Sequence, residues 1–217
     1  MPGLAGYLNI AVILIISSKS LNENNMRKIV LASSSIHRKK LMNQLKISFS
    51  CISPDIDESR RKNEPVTSFV KRLSIEKAKK VALSNQQAIV IGSDEVAVVK
   101  NQILGKPLTK KNAKKQLQLI SGNEVNFKTG LCVIDTMEKK KFSCVVNYKV
   151  ILRKLTDSDI DSYIHKEDIL NCAGSIKLEG LAISLVLKTQ GNDPTSIIGL
   201  PLIKLTSYLR KLKVQIP

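Results

Sequence analysis

Apolar blocks alternate along this chain with polar, turn-forming segments, and their spacing switches between the periods of strands and helices. Apolar runs predict strands over residues 28–32, 88–91, 96–99, 125–136, 141–153 and 181–187. Helical spacing predicts helices over 36–45, 65–82 and 109–120, and others that begin near 156 and 201. Segments 51–64 and 172–180 are predicted loops, and 137–140 is the predicted turn of an antiparallel hairpin. The alternation indicates an α/β fold.

The first 25 residues differ from the rest of the chain. Residues 8–16 are apolar, but this run is too short to span a bilayer. No Lys or Arg precedes it, although a signal peptide would carry a basic start. We therefore expect residues 1–25 to be an upstream extension that is disordered or packs adventitiously, with a weak membrane anchor as the alternative, and residues 26–217 to form a single domain.

The charge of the chain predicts an anionic partner. Its 35 Lys and Arg residues exceed 18 Asp and Glu, which gives a formal net charge of +17 on 217 residues. Such a field attracts nucleotides, nucleic acids or anionic lipids. Aromatic residues make up only 4% and Trp is missing from the sequence, which disfavours a single-strand nucleic-acid binder. The alternative is solubility alone, with lysines such as Lys77, Lys79 and Lys80 on a solvated helical face.

Cysteine and histidine usage narrows the chemistry. Cys51, Cys132, Cys144 and Cys172 are scattered without a Cys-x-x-Cys pair, so we expect reduced, mostly buried thiols. With His37 and His165 as the only histidines, a histidine-rich metal site is poorly supported. Any metal should be held by carboxylates, which favours Mg²⁺ or Mn²⁺.

The junction between the first strand and the first helix predicts an anion site. Ser33, Ser34 and Ser35 follow an apolar strand, and a basic helix start with Arg38 comes next. Free N–H groups and the positive helix dipole at such a junction bind phosphate. The alternative is that Ser35 is simply the N-cap of the helix.

Asp94 is the leading candidate for catalysis. It follows the apolar segment 88–91, and active sites of open α/β sheets lie at strand ends. A carboxylate there can bind a divalent cation or accept a proton from water, although a loop cap is the alternative. Two weaker signals are Lys106, within Gly-Lys-Pro, and the acidic segment 53–58, in which Glu58 is the preferred metal ligand.

Taken in order, these segments resemble the Maf family of nucleoside triphosphate pyrophosphatases over residues 26–212. The matching runs are 31–38, 53–58, 76–78, 91–94, 104–107, 121–122, 129–130, 173–175 and 199–201. The resemblance implies a two-lobed α/β fold shared with inosine triphosphatases. That fold has an elongated mixed sheet flanked by helices, with a cleft between the lobes. It also implies a homodimer in the cytoplasm that hydrolyses a nucleotide to its monophosphate and pyrophosphate, without a stable nucleic-acid partner or a membrane.

The resemblance also implies roles for individual residues. Asp94 would accept a proton from the attacking water and share a divalent metal, Mg²⁺ or Mn²⁺, with Glu58. The phosphate-binding residues would be Ser33, Ser35, Arg38, Lys77 and Lys106.

Within the family, segments 172–180 and 192–195 are similar to the branch that acts on 7-methylguanosine triphosphate. Glu179 suits such a base, because a carboxylate accepts hydrogen bonds from guanine and favours a cationic ring. The branch pattern has Pro and Trp where this chain has Ile36 and His37, and Gln where it has Glu95. His37 and Glu95 are therefore candidates, with Glu179, for determining specificity.

Three other hypotheses stay open at this point. One is a dTTP/UTP pyrophosphatase of the same fold. A second is a non-enzymatic, basic nucleic-acid-binding module, which would bind with a steep salt dependence. A third is a septum-related interaction protein whose cellular effect does not need catalysis.

Overall fold

A computed structural model describes residues 27–216 of the chain. The strands in this range are β1 (Lys28–Ala32), β2 (Ser50–Ile52), β3 (Ala88–Val99), β4 (Gln102–Leu104), β5 (Glu124–Asp135), β6 (Lys140–Leu152) and β7 (Val186–Gln190). The α-helices are α1 (Ile36–Gln44), α2 (Val66–Ala82), α3 (Lys110–Ile120), α4 (Asp157–Lys166) and α5 (Leu202–Lys211). Short 3₁₀ helices cover Ala173–Ser175, Leu181–Leu185 and Pro194–Ile198. The extension expected over residues 1–25 lies outside the described residues.

Side-chain caps explain where three of the helices begin. Ser35, Thr109 and Thr156 each accept a hydrogen bond from a backbone N–H in the first turn of α1, α3 and α4. Thr156 and Asp159 form a reciprocal capping box. These starts agree with the sequence predictions.

The strands form one mixed sheet in the order β2-β1-β3-β5-β6-β7, with β4 beside β3. β1 runs parallel to β2 and β3, whereas the other pairs are antiparallel. The long hairpin of β5 and β6 agrees with its prediction. The expected α/β class, with an elongated mixed sheet between helices, is confirmed.

One edge of β3 is only partly covered. β1 pairs with β3 as far as Ile91, and β4 pairs with it from Ala97 onward. Between them, residues 92–96 pair with no other described strand on that edge, although β5 pairs with their opposite edge. We call residues 92–96 of β3 the open edge. Its residues are buried or half-buried, but the edge has no strand partner between two halves of the sheet.

Separate hydrophobic clusters lie in these two halves. In the first half, α1 and α5 cover the face that contains Ile89, and α2 covers the face that contains Val90. In the second half, α3 and α4 pack around Phe127. The open edge lies where these clusters meet.

The structure corrects several predictions. β3 is continuous from Ala88 to Val99, because residues 92–95 pair with 129–132 of β5. Asp94 therefore lies inside β3 rather than after the end of a strand. The strand that does end near this point of the sheet is β1, at Ala32. Residues 50–52 form β2, where a loop was expected from 51.

Two further corrections concern the second half of the chain and the thiols. The strand predicted over 181–187 begins only at Val186, the first residue of β7. Residues 181–185 form a 3₁₀ helix instead, in which Leu181 N–H donates to Glu167 and Ser184 Oγ donates to the Leu181 carbonyl. The four cysteines are free, as expected, but among them only Cys132 is buried.

Candidate active site

The segment between β1 and α1 leads to the open edge. Ser35 is the N-cap of α1 and accepts from the N–H of Arg38 at 3.4 Å. The buried Ser33 hydroxyl accepts from the N–H of Ser35 at 3.1 Å. The N–H groups of Ile36 and His37 have no acceptor among residues 27–216. The N-cap interpretation of Ser35 is confirmed, and free N–H groups of the kind that bind anions at helix starts remain beside it.

Lys77 lies between two carboxylates on the face of β3 that α2 covers. Its Nζ donates to Asp94 Oδ1 at 2.7 Å and lies 2.9 Å from Glu58 Oε1. The side chains of Lys77 and Asp94 are 5% and 10% exposed, whereas that of Glu58 is 57% exposed. The expectation that Lys77 lies on a solvated face is wrong, because it belongs to the buried stripe of α2.

Two glycines explain why α2 can bring Lys77 so near to the sheet. A Cβ atom at Gly92 would collide with the carbonyl of Ser74 and with Ala78, and one at Gly130 would collide with the backbone of Val70. Glycine at both positions therefore allows the helix to approach β3 and β5 closely. This approach places the ammonium of Lys77 against Asp94.

Glu95 faces the opposite side of β3, because successive side chains of a strand alternate. Its Oε1 is buried and has no hydrogen-bond partner among the described residues, and its Oε2 lies beside Gly199. Arg38 Nε donates to the Gly199 carbonyl at 2.8 Å, and Ser93 Oγ donates to the same oxygen at 2.8 Å. The Gly199 carbonyl thus ties α1 to β3 on this face.

The surroundings of Glu95 favour its neutral form. Burial raises the pKa of Glu95 to about 8, with the charge of Arg38 acting in the opposite direction and that of Asp94 in the same direction. A protonated Glu has the size of Gln and can donate a hydrogen bond. The exposed Lys106 lies near enough to lower the pKa of Glu95, so it borders this side of the site.

His37 and Glu179 meet at the rim of this second face. His37 Nδ1 lies 3.0 Å from Glu179 Oε1, and each side chain is 32% exposed. The contact joins the start of α1 to the segment after the 3₁₀ helix Ala173–Ser175. Neighbouring Ile36 is exposed.

The predicted site residues therefore form two groups around the open edge. Asp94, Lys77 and Glu58 lie on the α2 face, and Arg38, His37, Glu95, Lys106 and Glu179 lie on the other. Ser33 and Ser35 precede α1 beside them. A molecule that touches both groups must cross the open edge.

The donor set fits a hydrated divalent cation that is shared with a substrate. No group of three or more His, Cys, Asp or Glu side chains within 27–216 could hold a metal alone. Two carboxylates, Glu58 and Asp94, converge on one cation, the ammonium of Lys77. Mg²⁺ commonly binds to one or two protein carboxylates and takes its other ligands from substrate phosphates and water. Two carboxylates are therefore enough for a metal that is shared with a substrate.

Sequence reasoning missed two contributors to the site. Ser93 and Gly199 connect β3 to α1 through the Gly199 carbonyl. Both residues lie in matching runs, 91–94 and 199–201, but their connection through the Gly199 carbonyl depends on the fold.

In residues 27–216, none of the helices has the length and apolar character needed to cross a membrane.

Comparisons with known proteins identify the family of this chain. A family model described as Maf-like protein matches residues 28–212. A 7-methyl-GTP pyrophosphatase of Pseudoalteromonas translucida is 46% identical over 188 residues, which cover 87% of this chain and 93% of that protein. Proteins of the same name from Colwellia psychrerythraea and Pseudomonas savastanoi are 45% and 44% identical, over 86% and 88% of this chain and 93% and 100% of theirs.

A solved structure of the Staphylococcus aureus Ham1 protein is similar over 58% of this chain and 72% of its own, with a TM-score of 0.41 and 15% identity. The family match covers nearly all of the described residues, and the family expected from the sequence is confirmed. This chain belongs to the Maf-like protein family.

Proposed function

We propose that this chain is a nucleoside triphosphate pyrophosphatase that hydrolyses 7-methyl-GTP to its monophosphate and pyrophosphate. The observation that carries the proposal is the buried pair of Lys77 and Asp94, in which Asp94 belongs to the open edge. Such a pair would offer a carboxylate and a fixed cation to a polyphosphate that enters at this edge. Relatives 43–46% identical that bear the name 7-methyl-GTP pyrophosphatase support this choice of substrate.

The polyphosphate would be held by cations from both faces of β3. The free N–H groups at the start of α1, together with Ser33 and Ser35, suit one phosphate group. Arg38, Lys77 and Lys106 supply charges for the others. Arg38 is held by its bond to Gly199, so little of its side-chain entropy remains to be lost on binding.

Asp94 would act as the proton acceptor. Its Oδ1 is occupied by Lys77, whereas no described residue donates to Oδ2, which leaves that oxygen available to a water molecule. The water oxygen attacks the α-phosphorus, the bond to the bridging oxygen breaks, and pyrophosphate leaves with the electron pair. The proton of the water passes to Asp94.

A divalent cation, Mg²⁺ or Mn²⁺, is part of this proposal. Glu58 and Asp94 would hold it. When bound, such a cation neutralises the charge that develops on the phosphate oxygens.

The second face of β3 would select the base. Glu179 can accept hydrogen bonds from the guanine edge, and His37 can stack on the ring. Neutral Glu95 would supply the hydrogen-bonding pattern of the Gln that the branch carries. A cationic 7-methylguanine is favoured by the neighbouring Glu179 carboxylate.

The proposal also includes a homodimer, a cytoplasmic location and a single catalytic domain over residues 26–217. Free thiols suit a reducing compartment. Sedimentation of the full chain tests the dimer.

A panel of triphosphates tests the proposed reaction. Purified protein with Mg²⁺ or Mn²⁺ should release pyrophosphate from 7-methyl-GTP faster than from GTP, dTTP or UTP, and Asp94→Asn should abolish the release. Preference for dTTP or UTP would favour the other branch of the family. Nucleic-acid binding that is unaffected by Asp94→Asn, without hydrolysis of any triphosphate, would contradict the proposal.

A further inference from the structure

A second cluster of charged side chains lies behind Glu58. Its centre is Arg72, five residues before Lys77 on α2, with a side chain only 14% exposed. Arg72 Nε and Nη2 donate to the two carboxylate oxygens of Glu64 at 2.7 and 2.8 Å. Its Nη1 donates to Glu76 Oε2 at 2.9 Å. The guanidinium therefore fixes the segment that precedes α2 to the body of the helix.

A further bond of Arg72 reaches the residue next to Glu58. Nη2 donates to the carbonyl of Ser59 at 3.0 Å. Asp57 closes a turn around Glu58, because its carboxylate accepts from the N–H and the hydroxyl of Ser59 at 2.8 and 2.9 Å. Glu58 thus occupies a tight turn whose following peptide is tied to α2.

The charges in this cluster support one another. Hydrogen bonds from Arg72 lower the pKa of Glu64 to about 2, and the bonds from Ser59 lower the pKa of Asp57. Arg72 also lies over the ring of Phe69, 5.6 Å from its centroid. Lysine could not replace this arrangement, because only the planar fork of Arg reaches two carboxylates and a carbonyl together.

Glu58 needs such an anchor. Its side chain is 57% exposed, and among the described residues its one ion pair is with Lys77. An exposed Glu on a free loop would lose rotamer and backbone freedom each time it bound a ligand. The fixed turn removes most of the backbone part of that loss in advance.

We propose that Arg72 is a positioning residue that holds Glu58 where it binds the divalent cation. The inference deepens the proposed function and rests on its assignment of Glu58 as a metal ligand. Arg72 itself touches neither the cation nor the substrate, and it acts through the Ser59 carbonyl. Partners that orient a metal ligand typically change metal affinity by about 10- to 100-fold when they are removed.

The test measures Mn²⁺ binding to the full chain in the presence of a non-hydrolysable 7-methyl-GTP analogue. Binding is followed by the loss of the electron paramagnetic resonance signal of free Mn²⁺. The variants are Arg72→Gln, Arg72→Lys, Asp57→Ala, Glu58→Gln and the double variant Glu58→Gln/Arg72→Gln. The matched control is Arg61→Gln, which removes a positive charge from the same segment. It should leave the turn intact, because Arg61 is 68% exposed and its side chain contacts Glu76 rather than Ser59. Melting temperatures identify variants that fail to fold.

The expected result is that Arg72→Gln weakens Mn²⁺ binding at least about 10-fold, whereas Arg61→Gln leaves it unchanged. Arg72→Lys should resemble Arg72→Gln. Pyrophosphate release by Arg72→Gln should recover as Mn²⁺ is raised to saturation, and the double variant should bind no more weakly than Glu58→Gln alone. A general loss of structure would not be rescued by the metal.

Other results separate the two proposals. If Glu58→Gln binds Mn²⁺ weakly but a folded Arg72→Gln binds it as well as the wild type, the positioning role alone is overturned. Wild-type binding in Glu58→Gln would overturn the metal assignment and this inference together. If Arg72→Gln does not fold, Asp57→Ala provides the test, because it loosens the same turn from outside α2. Wild-type Mn²⁺ binding in Asp57→Ala would then overturn the inference.

Discussion

Replacing Glu95 by Gln should stabilise the protein in a way that depends on pH. The folded chain raises the pKa of this carboxyl to about 8 from an ordinary value of 4.5, mainly through burial. Above pH 4.5 the unfolded chain releases the proton, whereas the folded chain keeps it until about pH 8. The free energy of unfolding of the wild type therefore falls as the pH rises through this window.

The size of the effect follows from the same pKa values. A tenfold change in an ionisation constant corresponds to about 1.4 kcal/mol, so the loss between pH 4.5 and pH 8 is at most about 5 kcal/mol. Gln cannot ionise and does not suffer this loss. Glu95→Gln should therefore match the wild type near pH 4.5 and exceed it by a growing margin up to pH 8, with no further change above that pH.

Urea unfolding at several pH values, with EDTA and without nucleotide, measures this margin. Glu124→Gln is the matched control, because Glu124 is an exposed carboxylate at the start of β5. A constant difference between Glu95→Gln and the wild type from pH 5 to pH 8 would refute the reasoning. So would a margin that shrinks as the pH rises.

Three further predictions concern other parts of the structure. Gly92→Ala should lower the free energy of unfolding by about 1–3 kcal/mol in urea titrations and reduce pyrophosphate release, because its Cβ would push α2 and Lys77 from the sheet. Unchanged values would show that α2 can move without effect. Thr156→Ala should remove the capping box of α4 and lower the same free energy by about 1 kcal/mol without altering KM, and a changed KM would contradict a purely structural role. Lys106→Gln should raise KM for the triphosphate, most strongly at low salt, and leave the melting temperature unchanged; equal KM values at low salt would place Lys106 outside the site.

Local signals were enough to predict much of this fold. Ser35, Thr109 and Thr156 cap helices through bonds that span only three residues, so the sequence contains both partners. The hairpin of β5 and β6 is likewise formed by neighbouring segments. These interactions do not depend on distant parts of the chain.

The continuity of β3 could not be predicted in this way. Gly92, Asp94 and Glu95 belong to residue types that are depleted in strands, and in the sequence they resemble a loop. Pairing with β5, about 40 residues further along the chain, keeps them extended. The position of Asp94 inside a strand is therefore a tertiary effect.

The burial of Lys77 was visible in the helical spacing. It follows Phe69, Val70 and Leu73 on the buried stripe of α2, yet its charge favoured a solvated interpretation. The partners that accommodate this charge, Asp94 and Glu58, come from other segments, and spacing alone does not reveal them.

The most direct test of the central claim follows the oxygen of the attacking water. Hydrolysis of 7-methyl-GTP in H₂¹⁸O by the wild-type chain should place the label in the monophosphate, because the open edge is proposed to present the α-phosphorus to the water beside Asp94. Asp94→Asn should form labelled monophosphate at a greatly reduced rate. Label in the pyrophosphate, or an undiminished rate in Asp94→Asn, would contradict the account.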